Sequence, residues 1–571
     1  MATVSDVRSA KQGPSKQRAV WRPRVPGLVA WVVRVAAVLA VLDILNPVEH
    51  HRARYGSRAL DGVLDGTTFA AATFSAGTLL VLAGALRRRK QRAWILAVAS
   101  VLVGIVTHIH FHRFPVVGLN VAVLALLLWT RRDFTARSER GGRLAAVRVL
   151  VVMLSVSVVA GLFLTARVAP TSSPGDRLVE VLSGLLGFTP ELAFRRAAYT
   201  SSLTEIGLNT LGGLTALLTL LTFLAPARKP ARLSPTAEEQ LRLLLDKFGN
   251  RDSLGYFALR GDKIAMFSPS GKAAVVYRVV GGVSLASGDP LGDPEAWPGA
   301  IQAWLEEADT YAWTPGVVGA SEEGAIAFRR AGLDSLELGD EAVLDLEEFS
   351  LDGRSMRVVR QAVNRVRRAG YTLDVRRQSE LDDGALAEVR ATAEQLRGED
   401  VERGFSMALG RLGDPRDPDL MIARARDADE QLVAVLAFVP WGADGLSLDL
   451  MRRARTCENG TVEFVIVGVA EAVKALGVRR ISLNFAVFRS VFDRGSRVGA
   501  GPVLRLWYRL LLVASRWWQI ESLYRANAKY QPEWVPRFVC FRRAAELPQV
   551  AVAAAEAEAF IQRPRLRWLQ P

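Results

Sequence analysis

The chain has 571 residues, half of them hydrophobic, and its 73 Lys and Arg against 58 Asp and Glu give a net charge of +15. This length allows several domains, while 23% charged residues exclude a wholly disordered chain and two cysteines exclude a disulfide framework. All five histidines lie at or before residue 112, which excludes a Ser-His-Asp triad, a Cys-His dyad and a histidine-ligated metal from the last 459 residues.

The positive charge is concentrated in the N-terminal part of the chain. Residues 1–231 carry a net charge of +17, whereas the remainder carries −2. Because the basic part is also the apolar part, the pattern indicates a membrane protein with basic cytoplasmic loops and not a chain that coats nucleic acid.

A basic tail over residues 1–26 precedes a predicted transmembrane domain over 27–226. Most of its apolar stretches have about the 17–25 residues that an α-helix needs to cross a bilayer. Arg34 and Asp43 in the first stretch, which has no clear cleavage site, argue against a signal peptide. The six predicted spans are 27–45, 66–86, 93–111, 115–130, 146–166 and 207–226.

The charges of the loops predict the orientation of these spans. Basic runs at 87–92, 131–148 and 228–232 follow the second, fourth and sixth spans. The positive-inside rule therefore places both ends of the domain in the cytoplasm. We expect the segment 175–200, between the last two spans, to be a partly amphipathic helix on the outer surface.

The histidines all map to the predicted outer side. His108, His110 and His112 alternate in one short run, and His50 and His51 lie in the first outer loop. Imidazoles can bind zinc or copper, but residues two apart do not share a helix face. The spacing favours interfacial histidines at helix ends over a metal site.

A basic, proline-containing linker over 227–235 leads to a region in which helix patterns and strand patterns follow each other. Its pattern predicts a helix at 237–249, strands at 253–259, 263–269 and within 273–290, a helix at 294–309, a strand at 341–349, a helix at 355–370 and a strand at 371–377. A second round has helices at 381–397, 459–475 and 502–519 and strands at 431–441, 445–453 and 479–485.

The repeated order of helices and paired strands predicts two α/β units, over 236–375 and 376–571. The order resembles two acetyltransferase (GNAT) folds in tandem. We therefore expect a membrane α-helical bundle followed by tandem GNAT-like acyltransferase units, the second of them catalytic.

Eight colinear segments carry a family resemblance that spans about residues 240–545. The chain resembles the phosphatidylglycerol lysyltransferases, the catalytic region of the multiple peptide resistance factor family, in its actinobacterial branch. The segments are SLASGDPLGDPEAW (284–297), LGDEAVLDLEEFSLDG (338–353), RVVRQAVNRVRRAGYTLDV (357–375), GFSMALGRLGD (404–414), LSLDLMRR (446–453), NGTVEFVIV (459–467), ISLNFA (481–486) and LYRANAKYQPEWVPRFV (523–539).

The resemblance implies transfer of an amino acid, lysine first among the choices, from aminoacyl-tRNA to the glycerol hydroxyl of phosphatidylglycerol. It implies no cofactor, a multi-pass protein of the plasma membrane with a cytoplasmic catalytic domain, and contact with anionic lipid. A less anionic membrane attracts cationic peptides less, which implies antibiotic resistance. Because the 571 residues include no lysyl-tRNA synthetase segment, which some actinobacterial relatives carry, we expect the charged tRNA to come from elsewhere. Self-association into a homo-oligomer stays open.

Acyl transfer between two esters needs a site for the aminoacyl end, an acceptor for the hydroxyl proton and cations for developing negative charge. The resemblance marks Asp449 and Arg452, at the end of a predicted strand, and Lys529 as catalytic. A surface ion pair and an ordinary surface lysine are the alternative interpretations.

Further residues are candidates for substrate binding, each with a structural alternative. Glu463 and Asn459 open a helix whose N-terminus suits an anion, and a carboxylate is stabilised in that turn in any case. Ser482 and Asn484 share a strand face, whereas Asp289 follows a glycine in a turn that explains it equally well. Trp534 and Arg537 either stack on the terminal adenosine or pack the C-terminal unit.

Six arginines and no acid fall within residues 354–368. Arg357, Arg360, Arg367 and Arg368 can share one helical face, which predicts binding of tRNA or lipid phosphates over a merely solvated surface.

Two other functions stay open. One is a CoA-dependent N-acyltransferase on a membrane anchor, although neither 329–334 nor 494–501 fits the pyrophosphate-binding loop of such enzymes. The other is a lipid translocator whose soluble half is regulatory, although few intramembrane charges mark a pathway.

Overall fold

The structure is a computed structural model that describes residues 27, 29–35, 81–87, 89–110, 114–134, 141–168, 173–185, 202–224, 232–398, 404–487 and 526–561. The chain divides near residue 228 into two compact units. We call them the N-terminal unit and the C-terminal unit.

Within the described residues of the N-terminal unit, five helices can be delimited. They are α1 (Gln91–His110), α2 (Phe114–Trp129), α3 (Gly141–Val168), α4 (Pro174–Leu185) and α5 (Ser202–Phe223). Residues 29–35 and 81–87 are helical as well. Four predicted spans thus lie on α1, α2, α3 and α5, and α4 falls where an amphipathic helix is predicted.

Among the described helices, α3 alone contains a segment that is long and apolar enough to cross a membrane. This segment, Leu144–Arg167, has a mean hydropathy of 2.6. Shorter apolar segments lie on α1, α2 and α5. Val159 and Phe163 of α3 are exposed, as apolar side chains that face lipid would be. The number of six spans stays a prediction.

Small residues let α3, α4 and α5 pack closely. A Cβ added at Gly212 would lie 2.0 Å from the carbonyl oxygen of Leu185, so α5 can approach the end of α4 only with glycine there. The hydroxyl groups of Ser157 and Thr215 share a hydrogen bond of 2.9 Å between α3 and α5. Such contacts are typical of helices that associate in a membrane.

The histidines of the N-terminal unit are only partly within the described residues. His108 and His110 lie in the last turn of α1. His50, His51 and His112 lie outside the described residues. The metal site and the interfacial interpretation both stay predictions.

In its described residues, the C-terminal unit contains one mixed sheet of twelve strands. Its order is β1-β2-β3-β5-β12-β6-β11-β10-β9-β8-β7, with β4 paired to β2. The strands are β1 (Ile264–Phe267), β2 (Ala273–Val280), β3 (Val283–Ser287), β4 (Leu291–Gly292), β5 (Thr314–Ala320), β6 (Asp334–Asp345), β7 (Thr372–Arg377), β8 (Met421–Arg426), β9 (Leu432–Trp441), β10 (Gly445–Arg453), β11 (Arg480–Val487) and β12 (Glu533–Phe541).

Seven helices accompany the sheet in the described part of this unit. They are α6 (Pro235–Phe248), α7 (Trp297–Thr310), α8 (Glu322–Arg330), α9 (Arg357–Arg368), α10 (Asp383–Arg397), α11 (Thr461–Lys474) and α12 (Leu547–Ala557). We call β1–β5 with β12 the first half of the sheet and β6–β11 the second half. α9 and α11 cover one face of the second half, through Val359, Val363 and Phe464. Val389 of α10 packs on Ile422 and Val435. Because successive side chains of a strand point to opposite faces, these two residues lie on the face of the sheet opposite to α9 and α11.

The sheet joins the two predicted α/β units in an order that the sequence did not indicate. β12, from the end of the chain, lies between β5 and β6 with antiparallel pairing to both. β7, predicted in the first unit, pairs with β8, and α9 packs on α11. The strand pairing therefore does not follow a boundary at residue 375, because distant segments complete each half.

Most predicted elements of the C-terminal unit are present, with one change of type. Residues 253–259 are not a strand, because Gly255–Leu259 form a 3-10 helix with Phe257 and Leu259 buried. Ser234 begins α6 by accepting a hydrogen bond from the backbone N–H of Ala237 at 3.2 Å. The helix predicted at 502–519 lies outside the described residues.

Candidate functional site

The parallel strands β10 and β11 diverge in the second half of the sheet. Residues 445–447 pair with 480–482, and beyond Ser447 and Ser482 the two strands no longer pair with each other. β10 continues beside β9, and β11 continues beside β6. Their divergence opens the sheet at the C-terminal end of β10, where the LSLDLMRR motif lies.

Asp449 is the irregular residue of β10. The pairing with β9 shifts between Leu448 and Leu450, so Asp449 is a β-bulge that re-aims the side chains beyond it. Its carboxylate is half-buried, and Oδ1 accepts a hydrogen bond of 2.6 Å from the backbone N–H of Leu409. The loop that contains Leu409 is thereby fixed against the end of β10.

A cavity of about 250 Å³ lies beside this strand end. Asp449 and Arg452 line it together with residues of α10 and of the loop 408–412. The structure thus brings two of the three predicted catalytic residues to one cavity. The α10 residues that line the cavity are Arg390, Ala393, Glu394 and Arg397.

The N-terminus of α11 follows β10 after a short loop. Gly460 begins the helix with a φ of +104°, and a Cβ there would lie 2.9 Å from the Cβ of Ala362 on α9. Glycine is therefore required by conformation and by contact. The hydroxyl of Thr461, the first residue of the helix, donates to the carbonyl oxygen of Glu458 at 2.6 Å. Asn459 is exposed in front of the helix.

Lys529 lies opposite the first turn of α11. Its Nζ is 2.5 Å from Oε1 of Glu463, and both side chains are about one-fifth exposed. The side chain of Asn527 donates to the carbonyl oxygen of Leu483 at 3.5 Å, which holds this segment beside β11. The structure thus pairs a predicted catalytic lysine with a predicted substrate-binding carboxylate. Burial and the charge of Glu463 raise the pKa of Tyr530 well above its usual range.

Arg537 has surroundings unlike those predicted for it. It is 3% exposed, and its guanidinium donates to Glu341 Oε2 at 2.9 Å and to Asp252 Oδ1 at 2.7 Å. The two carboxylates keep its pKa above the ordinary value despite the opposing effect of burial. Because Arg537 is buried, its guanidinium offers no open face on which an adenosine could stack, so we assign it a structural role.

Ser482 belongs to the same buried network. Its hydroxyl donates to Glu341 Oε1, which also accepts from Ser253 at 2.5 Å. Ser482 is fully buried, so it does not face an open cavity. The network joins β6, β11 and β12 through charged hydrogen bonds, which makes it a clamp across the centre of the sheet.

Asp289 is half-buried, and its carboxylate is bound by groups of its own chain. The backbone N–H of Ser321, at the start of α8, donates to its Oδ1 at 2.8 Å, and the hydroxyl of Ser321 donates to Oδ2 at 2.5 Å. Burial, together with the negative charge of Asp252, raises the pKa of Asp289 to about 7. Asp289 therefore binds a helix N-terminus of its own chain in the first half of the sheet.

Two other candidates are placed only in outline. Asn484 lies on β11 beyond the point of divergence, and its side chain lies outside what the structure describes. Trp534 is half-buried on β12, pairs with Ala342 of β6 and packs against the core that α9 and α11 cover. A packing role accounts for Trp534, while its contact with substrate stays a prediction.

The arginines of α9 lie on its solvent side, because Val359, Val363 and Val366 face the core. Arg357, Arg367 and Arg368 are exposed. Arg367 forms a surface ion pair with Glu471 at 3.3 Å, and Arg360 donates to the carbonyl oxygens of Leu351 and Gly353. The basic face predicted from the spacing is thus present, although Arg360 is half-buried and bound to the backbone.

Sequence reasoning missed three residues around these sites. Nothing in the spacing marks Arg390, which is exposed on α10 at the rim of the cavity, or Glu341, a polar position at the start of a predicted strand. Lys263 is fully buried, bonded to Phe257 and Ser287, and burial lowers its pKa to about 7. A lysine inside the apolar run 263–267 was the one signal available.

Fold and site together define a class of protein. A helical region with an apolar span precedes an α/β unit in which diverging parallel strands border a charged cavity. A model of a transmembrane region of lysyl-tRNA synthetase matches residues 21–224. The chain therefore combines a membrane region with an acyltransferase-type unit.

The family follows from the second match. The model described as phosphatidylglycerol lysyltransferase, C-terminal, matches residues 242–541. The chain belongs to this family, and the resemblance inferred from its motifs is confirmed.

Similar proteins include two that are named lysylphosphatidylglycerol biosynthesis bifunctional protein LysX. The one from Mycolicibacterium vanbaalenii is 43% identical over 555 residues, which cover 95% of this chain and 50% of the relative. The one from Rhodococcus opacus is 42% identical over 552 residues, covering 95% and 49%. The chain thus spans about half the length of these relatives.

A solved structure, of L-PGS from Bacillus licheniformis, shares the fold of the C-terminal unit. It superposes with a TM-score of 0.51 and 22% identity, covering 59% of this chain and all of that chain. At this identity the similarity concerns the fold alone.

Proposed function

We propose that the protein transfers an amino acid, lysine first among the choices, from aminoacyl-tRNA to the glycerol hydroxyl of phosphatidylglycerol. The observation that carries the proposal is the cavity at the end of β10, lined by Asp449 and Arg452, in a chain of the phosphatidylglycerol lysyltransferase family. The names of the LysX relatives support lysine as the amino acid.

The reaction exchanges one ester for another. The lipid hydroxyl oxygen attacks the carbonyl carbon of the aminoacyl ester, a new C–O bond forms, and the C–O bond to the ribose of the tRNA breaks. The proton of the lipid hydroxyl ends on the ribose oxygen that leaves. No covalent enzyme intermediate is needed, which fits a site without histidine in the C-terminal unit.

We assign the transfer of this proton to Asp449. A half-buried carboxylate beside the cavity can accept the hydroxyl proton and return it to the leaving oxygen. The hydrogen bond from Leu409 at 2.6 Å holds one of its oxygens and leaves the other for substrate or for the contacts it makes in the free protein. Arg452, at the same strand end, stabilises negative charge that develops during the attack.

Lys529 and Glu463 would bind the aminoacyl end. In the free protein they neutralise each other at 2.5 Å. An aminoacyl group between them would place its ammonium against Glu463 and its carbonyl oxygen near Lys529. This exchange gives the Glu463 carboxylate a new cation and places Lys529 where negative charge develops on the carbonyl oxygen. The exposed arginines of α9 would bind tRNA phosphates, with strong dependence on salt.

We also propose that the N-terminal unit is multi-pass and that the C-terminal unit lies in the cytoplasm at the plasma membrane. Contacts within the N-terminal unit support this orientation. Arg92 donates to the carbonyl oxygen of Phe223 at 3.2 Å, and the guanidinium of Arg131 lies 5.8 Å from the ring of Trp94. The start of α1, with Arg92, thus meets the end of α5 and the Arg131 that follows α2, which gathers basic side chains on one side as the positive-inside rule requires.

A lipid extract tests the function in one step. The full chain is expressed in a host that lacks aminoacylated lipids, beside the Asp449→Ala and Lys529→Ala variants. The exposed Asp429→Ala and Lys247→Ala serve as matched controls. Mass spectrometry should detect phosphatidylglycerol enlarged by one amino-acid residue, lost in the first two variants and kept in the controls. An unchanged lipid profile with well-expressed protein would contradict the proposal.

A further inference from the structure

Arg390 is held over the cavity by the shape of the loop that faces it. A Cβ added at Gly413 would lie 2.4 Å from Cδ of Arg390, and Gly413 has a φ of +80°. The stem of Arg390 therefore packs on a backbone position where a side chain is excluded. This packing reduces the freedom of a long side chain at the rim of the cavity.

The charges that line the cavity are not balanced. Arg397 is paired with Glu394 at 3.0 Å, and Asp449 accepts the hydrogen bond from Leu409. Within the residues that the structure describes, Arg390 and Arg452 form no ion pair and no side-chain hydrogen bond. Two guanidinium groups without a partner beside one cavity are the arrangement that binds a phosphate or a carboxylate.

The other lining residues indicate which anion fits. The described lining has no aromatic ring, so it offers no surface on which a nucleobase would stack. It does offer the carboxylate of Asp449 to hydroxyl groups. A volume of about 250 Å³ is near the lower end of ligand pockets and suits a small polyol phosphate.

We infer that this cavity binds the glycerophosphate headgroup of the acceptor lipid and that Arg390 binds its phosphodiester, while Arg452 keeps the role in the reaction proposed above. The inference rests on the proposed function and names the part of the site that selects the acceptor. Arg390 is then the residue that distinguishes an anionic acceptor from a neutral one, while Asp449 acts on the hydroxyl at the other end of the same headgroup.

The test compares two acceptors within one variant. Purified full-length protein in mixed micelles receives phosphatidylglycerol or its neutral phosphate methyl triester, with charged tRNA as donor. We expect the kcat/KM of the wild type to be roughly 10- to 100-fold higher for phosphatidylglycerol than for the triester, because a hydrogen bond to a charged group contributes a free energy of about this size. Arg390→Gln should lose most of this preference through a higher KM for phosphatidylglycerol, and Arg390→Lys should retain part of it.

The comparison separates the possible failures. Because the preference is a ratio within one preparation, it does not depend on the amount of folded variant. The exposed Arg377→Gln is the control and should keep the full preference. No transfer by the wild type to either lipid would contradict the proposed function itself. Equal transfer to both lipids by the wild type, or an unchanged preference in Arg390→Gln, would overturn the inference alone. If Arg390→Gln instead raised the KM for tRNA and left the lipid preference unchanged, the inference would also be overturned, and the cavity would be a binding site for RNA.

Discussion

The two halves of the sheet differ at the ends of their parallel strands. Each half has a pair of parallel strands joined through a helix: β3 with β5 in the first half, and β10 with β11 in the second. In the first half the end of the pair is closed, because the N–H of Gly288 donates to Val318 and the carboxylate of Asp289 binds the start of α8. In the second half the strands diverge beside a cavity.

The contrast separates charges that hold the fold from charges that are available to a ligand. Arg537, Glu341 and Asp252 are buried and bonded to one another, so they stabilise the centre of the sheet. Arg390 and Arg452 line a cavity without an acidic partner in the described part of the chain. Residue type and sequence motif do not distinguish a charge that stabilises the fold from a charge that can bind a ligand. Burial and hydrogen-bond partners in the structure do distinguish them.

The largest effect on activity should follow the loss of the Asp449 carboxylate. Asp449→Asn keeps an acceptor for the Leu409 N–H but cannot take the proton of the lipid hydroxyl. We expect the rate of lysine transfer to phosphatidylglycerol to fall by roughly 10²- to 10⁴-fold with little change in melting temperature. Transfer of radiolabelled lysine in detergent measures the rate. A variant with near-normal transfer would remove Asp449 from the proposed mechanism.

The largest effect on stability should come from the buried clamp. Arg537→Gln leaves Glu341 and Asp252 without their cation, which costs about 3–5 kcal/mol in a buried pair. Native-state hydrogen exchange on the full chain should then show faster exchange of the amides in β6 and β12. Arg452→Gln is the matched arginine at the cavity and should leave exchange in these strands unchanged. Equal protection in both variants would refute the structural role of Arg537.

Asp289 should make stability depend on pH. Its folded pKa of about 7 lies above the ordinary value, so the native state holds a proton that the unfolded state releases between about pH 4 and 7. The free energy of unfolding should therefore fall as pH rises through this window, by at most about 1.4 kcal/mol per pH unit. Asp289→Asn should flatten this part of the profile of melting temperature against pH. The exposed Glu323→Gln should not.

The smallest effect should come from the exposed arginines of α9. Arg357→Gln combined with Arg368→Gln removes two surface charges and no core contact. Affinity for tRNA should fall modestly, and the slope of log affinity against log salt should decrease by about two if both contact phosphates. Filter binding at several salt concentrations measures the slope. An unchanged slope would mean that tRNA does not bind this face.

The sequence predicted most of the local structure in the C-terminal unit. Strand-like apolar runs identified β9 and β10, helical spacing identified α9 and α11, and the LSLDLMRR motif led to Asp449 and Arg452 at the cavity. The pairing of Lys529 with Glu463 joins two residues that were each singled out for separate reasons. These signals are local, because each depends on neighbours within about ten residues.

What the sequence did not predict depends on contacts between distant segments. β12 lies between β5 and β6 although about 200 residues separate it from them, and no periodicity encodes this neighbour. Arg537 and Asp289 carry charges, which suggests exposure, yet distant partners compensate for their burial. Arg390 is distinguished only by its place over Gly413 and by the absence of an acidic partner among the described residues.

The central claim is that the open strand end of the second half is the transferase site. The most direct measurement follows purified full-length protein with lysyl-tRNA and phosphatidylglycerol, in parallel with Asp449→Asn and Arg537→Lys. We predict lysylphosphatidylglycerol from the wild type, almost none from a folded Asp449→Asn, and activity from Arg537→Lys that follows its folded fraction. The account would be contradicted if Asp449→Asn made as much product as the wild type. It would also be contradicted if the wild type made no product when phosphatidylglycerol and lysyl-tRNA were both in excess.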